Sequence, residues 1–118
     1  MEKERSEFSS PDWYEVVYAA VRAIPCGKVA TYGQIAGTVS SISLTARQVG
    51  AAMRFAPQGV PWQRVVGAGG RLPIARRSPE LKLLQIRLLA QEGVEFYSGD
   101  HDRIDMARSQ YSADIDSK

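Results

Sequence analysis

The sequence predicts a mainly α-helical domain built on a helix-turn-helix of winged-helix-like type, with a small β-hairpin or loop behind it. Two observations carry that prediction. Thr31-Tyr32-Gly33-Gln34 and Thr45-Ala46-Arg47-Gln48 each spell a capping box, in which the threonine serves the first-turn amides and the glutamine reaches back to the cap. The two start signals are separated by one short helix and a Ser-rich link, Ser40 to Ser43, the spacing of a helix pair joined by a turn. At 118 residues the chain has room for one modest core and little more.

Each element follows from local signals. Residues 1–9 are polar and read as a frayed, flexible leader. Ser10 caps a helix with Pro11 in its first turn, where a missing N–H costs nothing. Trp13, Val16, Val17, Ala20, Val21 and Ile24 recur at helical spacing until Pro25 stops the run. After the turn Pro25-Cys26-Gly27-Lys28, the first boxed helix runs from Thr31 to about Val39, with Ile35 and Ala36 on its apolar face. The second runs through Val49, Ala52 and Met53 to Phe55, and Pro57 ends it. Its Ala46, Gly50, Ala51 and Ala52 keep it slim, which suits approach to a groove wall and equally suits close helix packing.

Val60-Pro61-Trp62 is extended by the restriction before proline. Arg64-Val65-Val66 and Arg71-Leu72 flank Gly67-Ala68-Gly69-Gly70, a glycine-turned hairpin or a loop. Gly67 and Gly69 do not make a dinucleotide fingerprint, because no third glycine and no βαβ unit accompany them. Ser78-Pro79-Glu80 opens the last helix, with Leu81, Leu84, Leu88 and Leu89 as its expected buried stripe and Gly93 as its end. The domain is therefore expected over 10–97, with 98–118 as a mobile acidic tail.

Composition narrows the function class. No apolar run approaches bilayer length, the N-terminal residues lack the apolar core of a secretory signal, and a single cysteine, Cys26, excludes an internal disulfide or a cysteine-based metal cluster. The expectation is a cytoplasmic protein, away from membranes, with no metal and no cofactor. The net charge of +2 conceals a segregation. From Arg47 to Arg87 there are 8 basic residues against the single acid Glu80, and from Leu88 onward 3 basic residues against 7 acids. A basic middle points to a polyanion-binding face, with chance clustering on a solvated surface as the alternative.

Three segments in order and in register resemble the DNA-binding domain of the O6-alkylguanine-DNA alkyltransferases. They are Ile24-Pro25-Cys26-Gly27-Lys28-Val29-Ala30-Thr31-Tyr32-Gly33-Gln34-Ile35-Ala36, Ala46-Arg47-Gln48-Val49-Gly50-Ala51-Ala52-Met53, and Val60-Pro61-Trp62-Gln63-Arg64-Val65-Val66. The likeness spans about Tyr14 to Phe96. Those enzymes carry Pro-Cys-His-Arg-Val, the cysteine accepting the alkyl group; here the frame reads Pro61-Trp62-Gln63-Arg64-Val65. The chain in this respect resembles the alkyltransferase-like proteins, in which tryptophan replaces the acceptor and the lesion is passed to nucleotide excision repair.

The resemblance implies roles residue by residue. Tyr32 presses on the phosphate of the target nucleotide and helps rotate it out; otherwise it is a half-buried surface tyrosine. Arg47 fills the gap left by the flipped base, as a planar guanidinium can stack on bases and donate to the orphaned partner; otherwise it holds a phosphate. Thr31, Gln34, Ala46, Gln48, Gly50, Arg54 and Arg71 complete the expected DNA-binding set. Trp62 floors a roomy pocket for the alkyl group, or is simply a core aromatic. The pocket's expected walls are Val60, Pro61, Tyr32 and the segment from Leu72 to Arg77.

Arg76 is the expected lesion contact, one position beyond the ungapped match at Ala75, with Arg77 as its rival. Ala56 stands where the enzymes carry an asparagine that braces the loop. Glu92 matches the carboxylate that holds the enzymes' histidine, and with Gln63 in the histidine's place it is expected to persist as a hydrogen-bond brace. Cys26 reads as a structural or incidental thiol, and His101, the sole histidine, lies far along the chain.

Taken together, the expected function is non-enzymatic recognition of O6-alkylguanine in duplex DNA by minor-groove docking and base flipping, by a monomer. The rivals are a sequence-specific helix-turn-helix regulator and an active alkyltransferase. An indole offers no nucleophile comparable to a thiolate. Incubation with DNA carrying an O6-alkyl lesion is therefore expected to leave the intact-protein mass unchanged. A mass gain equal to the alkyl group would establish an active enzyme.

Overall fold

In the first helix, α1 (Asp12–Arg22), Tyr14, Val17, Tyr18 and Val21 turn inward together, the i, i+3, i+4, i+7 spacing of one helical face. Val16, expected on that face, is instead 37% exposed, and Tyr18 takes the central place. Its hydroxyl donates to the Ala52 carbonyl at 2.9 Å, tying α1 to the third helix. A tyrosine so deep keeps its apolar body in the core while its polar tip is satisfied. The computed structural model describes residues 12–39, 41–97 and 99–112. The leader, the Ser10 cap and Pro11 lie outside the described residues.

After the turn at Gly27 (φ +90°), the two-residue strand β1 (Ala30–Thr31) leads directly into α2 (Tyr32–Thr38) and then α3 (Ala46–Arg54). β2 (Val65–Val66) pairs in parallel with β1, Ala30 opposite Val65 and Thr31 opposite Val66. Parallel neighbours require a crossover, and the helix pair α2–α3 lies within it. The start of the helix pair and the Trp62–Arg64 turn before β2 are thereby fixed to one small sheet. The stretch after β2, left open as hairpin or loop, is a loop closed by Gly67 N–H to the Arg71 carbonyl at 2.7 Å.

α4 (Pro79–Gln91) starts at Ser78, whose hydroxyl accepts from Leu81 N–H at 3.1 Å. It ends as expected at Gly93 (φ +86°), where Val94 N–H returns to the Leu89 carbonyl at 3.0 Å. Its inward face differs from the expected leucine stripe. Leu89 is fully buried, but Leu81 and Leu84 are 37% and 38% exposed, and Gln85 is buried instead. Gln85 Nε2 donates to the carbonyls of Gln63 at 3.1 Å and Val65 at 3.2 Å. Those carbonyls need a donor once buried, and a leucine could not supply it.

Two apolar clusters result. One gathers α1, α2 and α3 around Val49, Ala52, Val60 and Val65; the other packs Val29, Val66, Leu72, Leu89, Val94 and Ile104. Ile104 belongs to the segment expected to be a mobile tail, and that expectation is corrected as far as residue 112. β3 (Phe96–Tyr97) and β4 (Asp100–Ile104) form an antiparallel hairpin, followed by the short helix α5 (Met106–Ser109). The chain then returns beside Val29, whose N–H meets the Ser109 carbonyl at 2.9 Å and whose carbonyl accepts from Tyr111 N–H at 2.7 Å.

Two of the acids that suggested mobility pair internally, Asp102 with Lys82 at 3.0 Å and Asp105 with Arg108 at 3.7 Å, and Arg108 also meets Glu95 at 3.6 Å. Ile104 also presses on the Gly67–Arg71 loop: a Cβ on Gly70 (φ +86°) would collide with its carbonyl. Residues 113–118 lie outside the described residues. Among the described residues, no helix is long and apolar enough to cross a membrane. Ile104→Ala is expected to lower stability by about 2–5 kcal/mol, the range for a core isoleucine truncation. Urea denaturation measures it, and a loss under about 0.5 kcal/mol would mean the hairpin is not part of the core.

Candidate nucleic-acid interface

Both capping boxes form. Gln34 N–H donates to Thr31 Oγ1 at 2.9 Å while Thr31 N–H meets Gln34 Oε1 at 3.3 Å. Gln48 N–H donates to Thr45 Oγ1 at 3.2 Å and Thr45 N–H meets Gln48 Oε1 at 2.9 Å. These bonds occupy side chains that the sequence assigned to DNA. Gln34 is further engaged by the returning chain, donating to the Tyr111 carbonyl and accepting from Gln110 Nε2 at 2.9 Å. Gln34 therefore anchors the C-terminal segment, and Gln48 holds its helix start.

A surface groove of about 440 Å³ lies between α3 and the turn Pro73–Arg76. Tyr32, Ala46, Arg47, Gly50, Ala51 and Arg54 line one part of it, and Pro73, Ile74 and Arg77 the other. The small residues make a low wall: a Cβ built on Gly50 would meet nothing within 4 Å. Tyr32 is the groove's titratable phenol. Burial pushes its pKa above the ordinary tyrosine value, only partly offset by the positive charge of Arg77. It stays neutral at physiological pH and keeps its hydroxyl proton to donate.

A second cavity of about 240 Å³ is lined by Met53, Arg54, Ala56, Trp62, Ile74, Arg77, Leu81 and Leu84. Arg54, Ile74 and Arg77 line both spaces, so the cavity adjoins the groove. Trp62 is half-buried in a single 3-10 turn, Trp62–Arg64, and contributes to the cavity wall. Several expected walls are corrected. Val60 is 4% exposed and packs in the first core, and Pro61 lines neither space. Tyr32 lines the groove rather than the cavity beside Trp62.

Of the two candidate arginines, Arg77 lines both spaces while the exposed Arg76 lines neither. The local cause is the tight turn, in which Arg77 and Ser78 N–H groups both return to the Ile74 carbonyl, at 3.0 and 2.9 Å. Arg71 is exposed and lines neither space. Leu81 and Leu84, expected as part of a buried stripe, were missed as cavity walls; their approach to Trp62 depends on how α4 packs against a distant turn, which spacing along the chain does not show. Cys26 is exposed and also lines neither space.

Behind Trp62 the expected brace is present. The Glu92 carboxylate accepts from Gln63 Nε2 at 2.8 Å, from Arg64 Nε at 2.9 Å and Nη2 at 3.2 Å, and from Gly27 N–H at 3.4 Å. Arg64 Nη1 donates to the Ile24 carbonyl at 2.9 Å. Burial pushes the Glu92 pKa up, but the donors from Arg64, Gln63 and Gly27 outweigh it and hold the pKa below the ordinary value. Gln63 is thus committed to Glu92 and, as an amide, is no base.

Residues 12–94 match the family model described as the DNA-binding domain of 6-O-methylguanine DNA methyltransferase. Alkyltransferase-like protein 1 of Schizosaccharomyces pombe is 44% identical over 88 residues, 73% of this chain and 80% of its own length. The chain belongs to the alkyltransferase-like family. Among its relatives is the DNA base-flipping protein of Escherichia coli, 35% identical over 113 residues, 94% of this chain and 81% of that protein. The structure of S. pombe Atl1 in complex with damaged DNA containing O6-carboxymethylguanine matches this alkyltransferase-like chain with a TM-score of 0.73 at 34% identity, covering 89% of this chain and 99% of that one. Mycobacterium tuberculosis OGT in complex with DNA matches at 0.58 and 32% identity, over 72% of this chain and 51% of that one.

The Glu92 cluster makes a pH prediction with a definite sign. A carboxylate whose folded pKa is depressed stabilises fully above its unfolded pKa and loses that contribution as pH falls through the folded one. Stability is thus expected to fall on acidification below the ordinary carboxylate range. Glu92→Gln is expected to cost about 1–3 kcal/mol at neutral pH, the scale of a charge-assisted bond, and to flatten that acid limb. Urea titrations across pH measure both, and an unchanged acid limb would assign it to other carboxylates.

Proposed function

We propose that the chain recognises O6-alkylated guanine in duplex DNA as a cytoplasmic monomer, without chemistry, and presents the lesion to nucleotide excision repair. The observation that carries this reading is the cavity beside Trp62 and its junction with the Arg47 groove through Arg54, Ile74 and Arg77. It offers a flipped nucleotide a place to go and no nucleophile when it arrives. The DNA-bound Atl1 neighbour and the base-flipping relative support the same reading.

Alkylation turns the guanine 6-oxygen into an ether and removes the N1 proton, so pairing to cytosine weakens. Extruding a base costs a few kcal/mol, and less for a damaged pair. The low wall of Ala46, Gly50 and Ala51 lets α3 approach the minor groove closely, where sequence readout is slight. The neutral Tyr32 hydroxyl donates to the target phosphate, Arg47 enters the vacated stack, and the alkyl group meets Trp62. Trp62 has no acidic proton to lose and Gln63 cannot take one, so alkyl transfer has neither acceptor nor base. For a sequence-reading regulator, α3 leaves only Arg47 and Arg54 to reach base edges, because Gln48 is engaged in its cap.

A titration of matched duplexes with and without O6-methylguanine tests the reading; tighter binding of the lesion duplex is expected, and equal affinities would overturn it. Arg47→Ala is expected to weaken lesion binding by about 1–3 kcal/mol, the scale of a stacked or bidentate nucleic-acid contact. Lys82→Ala, which frees Asp102 from an ion pair, is expected to change DNA affinity far less. Equal losses would reduce Arg47 to one phosphate contact among several.

A further inference from the structure

The match to the family model ends at residue 94, and the chain that follows holds both walls of the groove. One wall is Tyr32 with the small residues and arginines of α3; the other is Pro73, Ile74 and Arg77. The end of the chain, 109–112, braces the first wall. It runs parallel beside Val29, just before β1, through the Ser109 carbonyl and Tyr111 N–H. Gln110 Nε2 donates to Gln34 Oε1 at 2.9 Å, and Gln34 donates to the Tyr111 carbonyl. Gln34 completes the capping box two residues beyond Tyr32. The first turn of α2, from which Tyr32 enters the groove, is thereby tied to the end of the chain.

The β3–β4 hairpin braces the second wall. The Arg103 guanidinium lies 4.6 Å from the centre of the Tyr97 ring and donates through Nε to the Gly69 carbonyl at 3.0 Å. Gly70 rests against the Ile104 carbonyl, and a Cβ on Gly67 would come within 2.8 Å of Pro73 Cγ. Leu72 shares a buried cluster with Ile104. Contacts therefore run unbroken from β4 to the proline that lines the groove. The two braces are themselves joined: Asp105 N–H donates to the Glu95 carbonyl at 2.9 Å, and Glu95 N–H to Ser109 Oγ at 3.4 Å.

Resting on the lesion-recognition reading above, we propose that residues 95–112 form a clasp that sets the width of the groove, with Arg103 and Gln110 as positioning residues at its two ends. Neither side chain lines the groove or the cavity, so each acts through the backbone it holds. Phosphate contacts tolerate small shifts of a wall, because charge attraction falls off gradually with distance. A nucleotide outside the stack meets both walls at once, and such a site must be held to about half an ångström by its supporting residues. The clasp therefore governs discrimination between lesion and undamaged duplex more than the grip common to both.

Arg103→Met and Gln110→Ala each remove one tie at an exposed bond. The full-length variants and the wild type are titrated with duplexes carrying guanine or O6-methylguanine at one position. Each variant is expected to lower the ratio of lesion to undamaged affinity by at least about fivefold, the low end of couplings between distant sites. Affinity for undamaged duplex and the urea midpoint are expected to change little. Arg103→Lys, which keeps a donor and the charge, is expected to recover most of the ratio. Amide hydrogen exchange in the free protein gives a second readout. It is expected to quicken at Ala75 and Arg77, whose bonds close the turn of the second wall, in Arg103→Met, and at Gln34 in Gln110→Ala. An unchanged ratio, or an equal loss on both duplexes, would overturn the clasp and leave a stabilising or charge role. Unchanged exchange would overturn it too, since the walls would not depend on these ties. A wild type that binds both duplexes equally would overturn the lesion reading, and the exchange rates alone would then decide whether the clasp holds the walls.

Discussion

On the Glu92 carboxylate, three segments far apart in sequence meet: the turn at Gly27, the Gln63–Arg64 pair, and the end of α4. A carboxylate that is mostly shielded from water must be paired, or its desolvation goes uncompensated. Here it is paired by a guanidinium, an amide and a backbone N–H, and the same guanidinium reaches on to the Ile24 carbonyl. The cluster thereby fixes the turn that begins with Trp62, one residue from Gln63 in the chain. Gln85 holds the other side of that turn through the Gln63 and Val65 carbonyls. Trp62 owes its half-buried position to these polar bonds behind it rather than to membership of the main core.

That division explains which parts of the molecule the sequence disclosed. The capping boxes and the glycine stop of α4 were legible because their bonds join residues a few positions apart, so residue type and spacing suffice. The face of α4 was not. A leucine stripe is the better local guess, but the unpaired carbonyls of Gln63 and Val65 made Gln85 the residue to bury, and those carbonyls lie some twenty residues away. The hairpin and α5 were misread for a related reason. Acid-rich composition suggests a solvated chain, while the decisive facts are one isoleucine, Ile104, entering a distant core and a backbone pairing with Val29.

The site shows the same limit. Tyr32, Arg47, Ala46, Gly50, Arg54 and Trp62 were named from sequence and line the groove or the cavity. Gln34 and Gln48 were named for DNA and are occupied by caps and by the returning chain. Polar residues at helix starts are ambiguous in this way, since the groups that suit a phosphate also suit the helix's own first-turn amides. Which of Arg76 and Arg77 lines the groove and the cavity depends on the geometry of one tight turn.

The charge pattern also changes meaning once folded. Of the basic run between Arg47 and Arg87, Arg64 and Lys82 are neutralised by Glu92 and Asp102, and the acids after Leu88 are partly drawn into such pairs. What remains at the groove is a small set, Arg47, Arg54 and Arg77, around a wall of small side chains. On the proposed reading, a groove with so few cations implies a shallow salt dependence, since each phosphate contact releases about one counterion. On the same reading, discrimination comes from contacts made after the nucleotide has left the stack, in the cavity beside Trp62. In the proposed function, a weak grip on ordinary DNA and a selective cavity are complementary: the first would permit search along the duplex, and the second would decide where it stops.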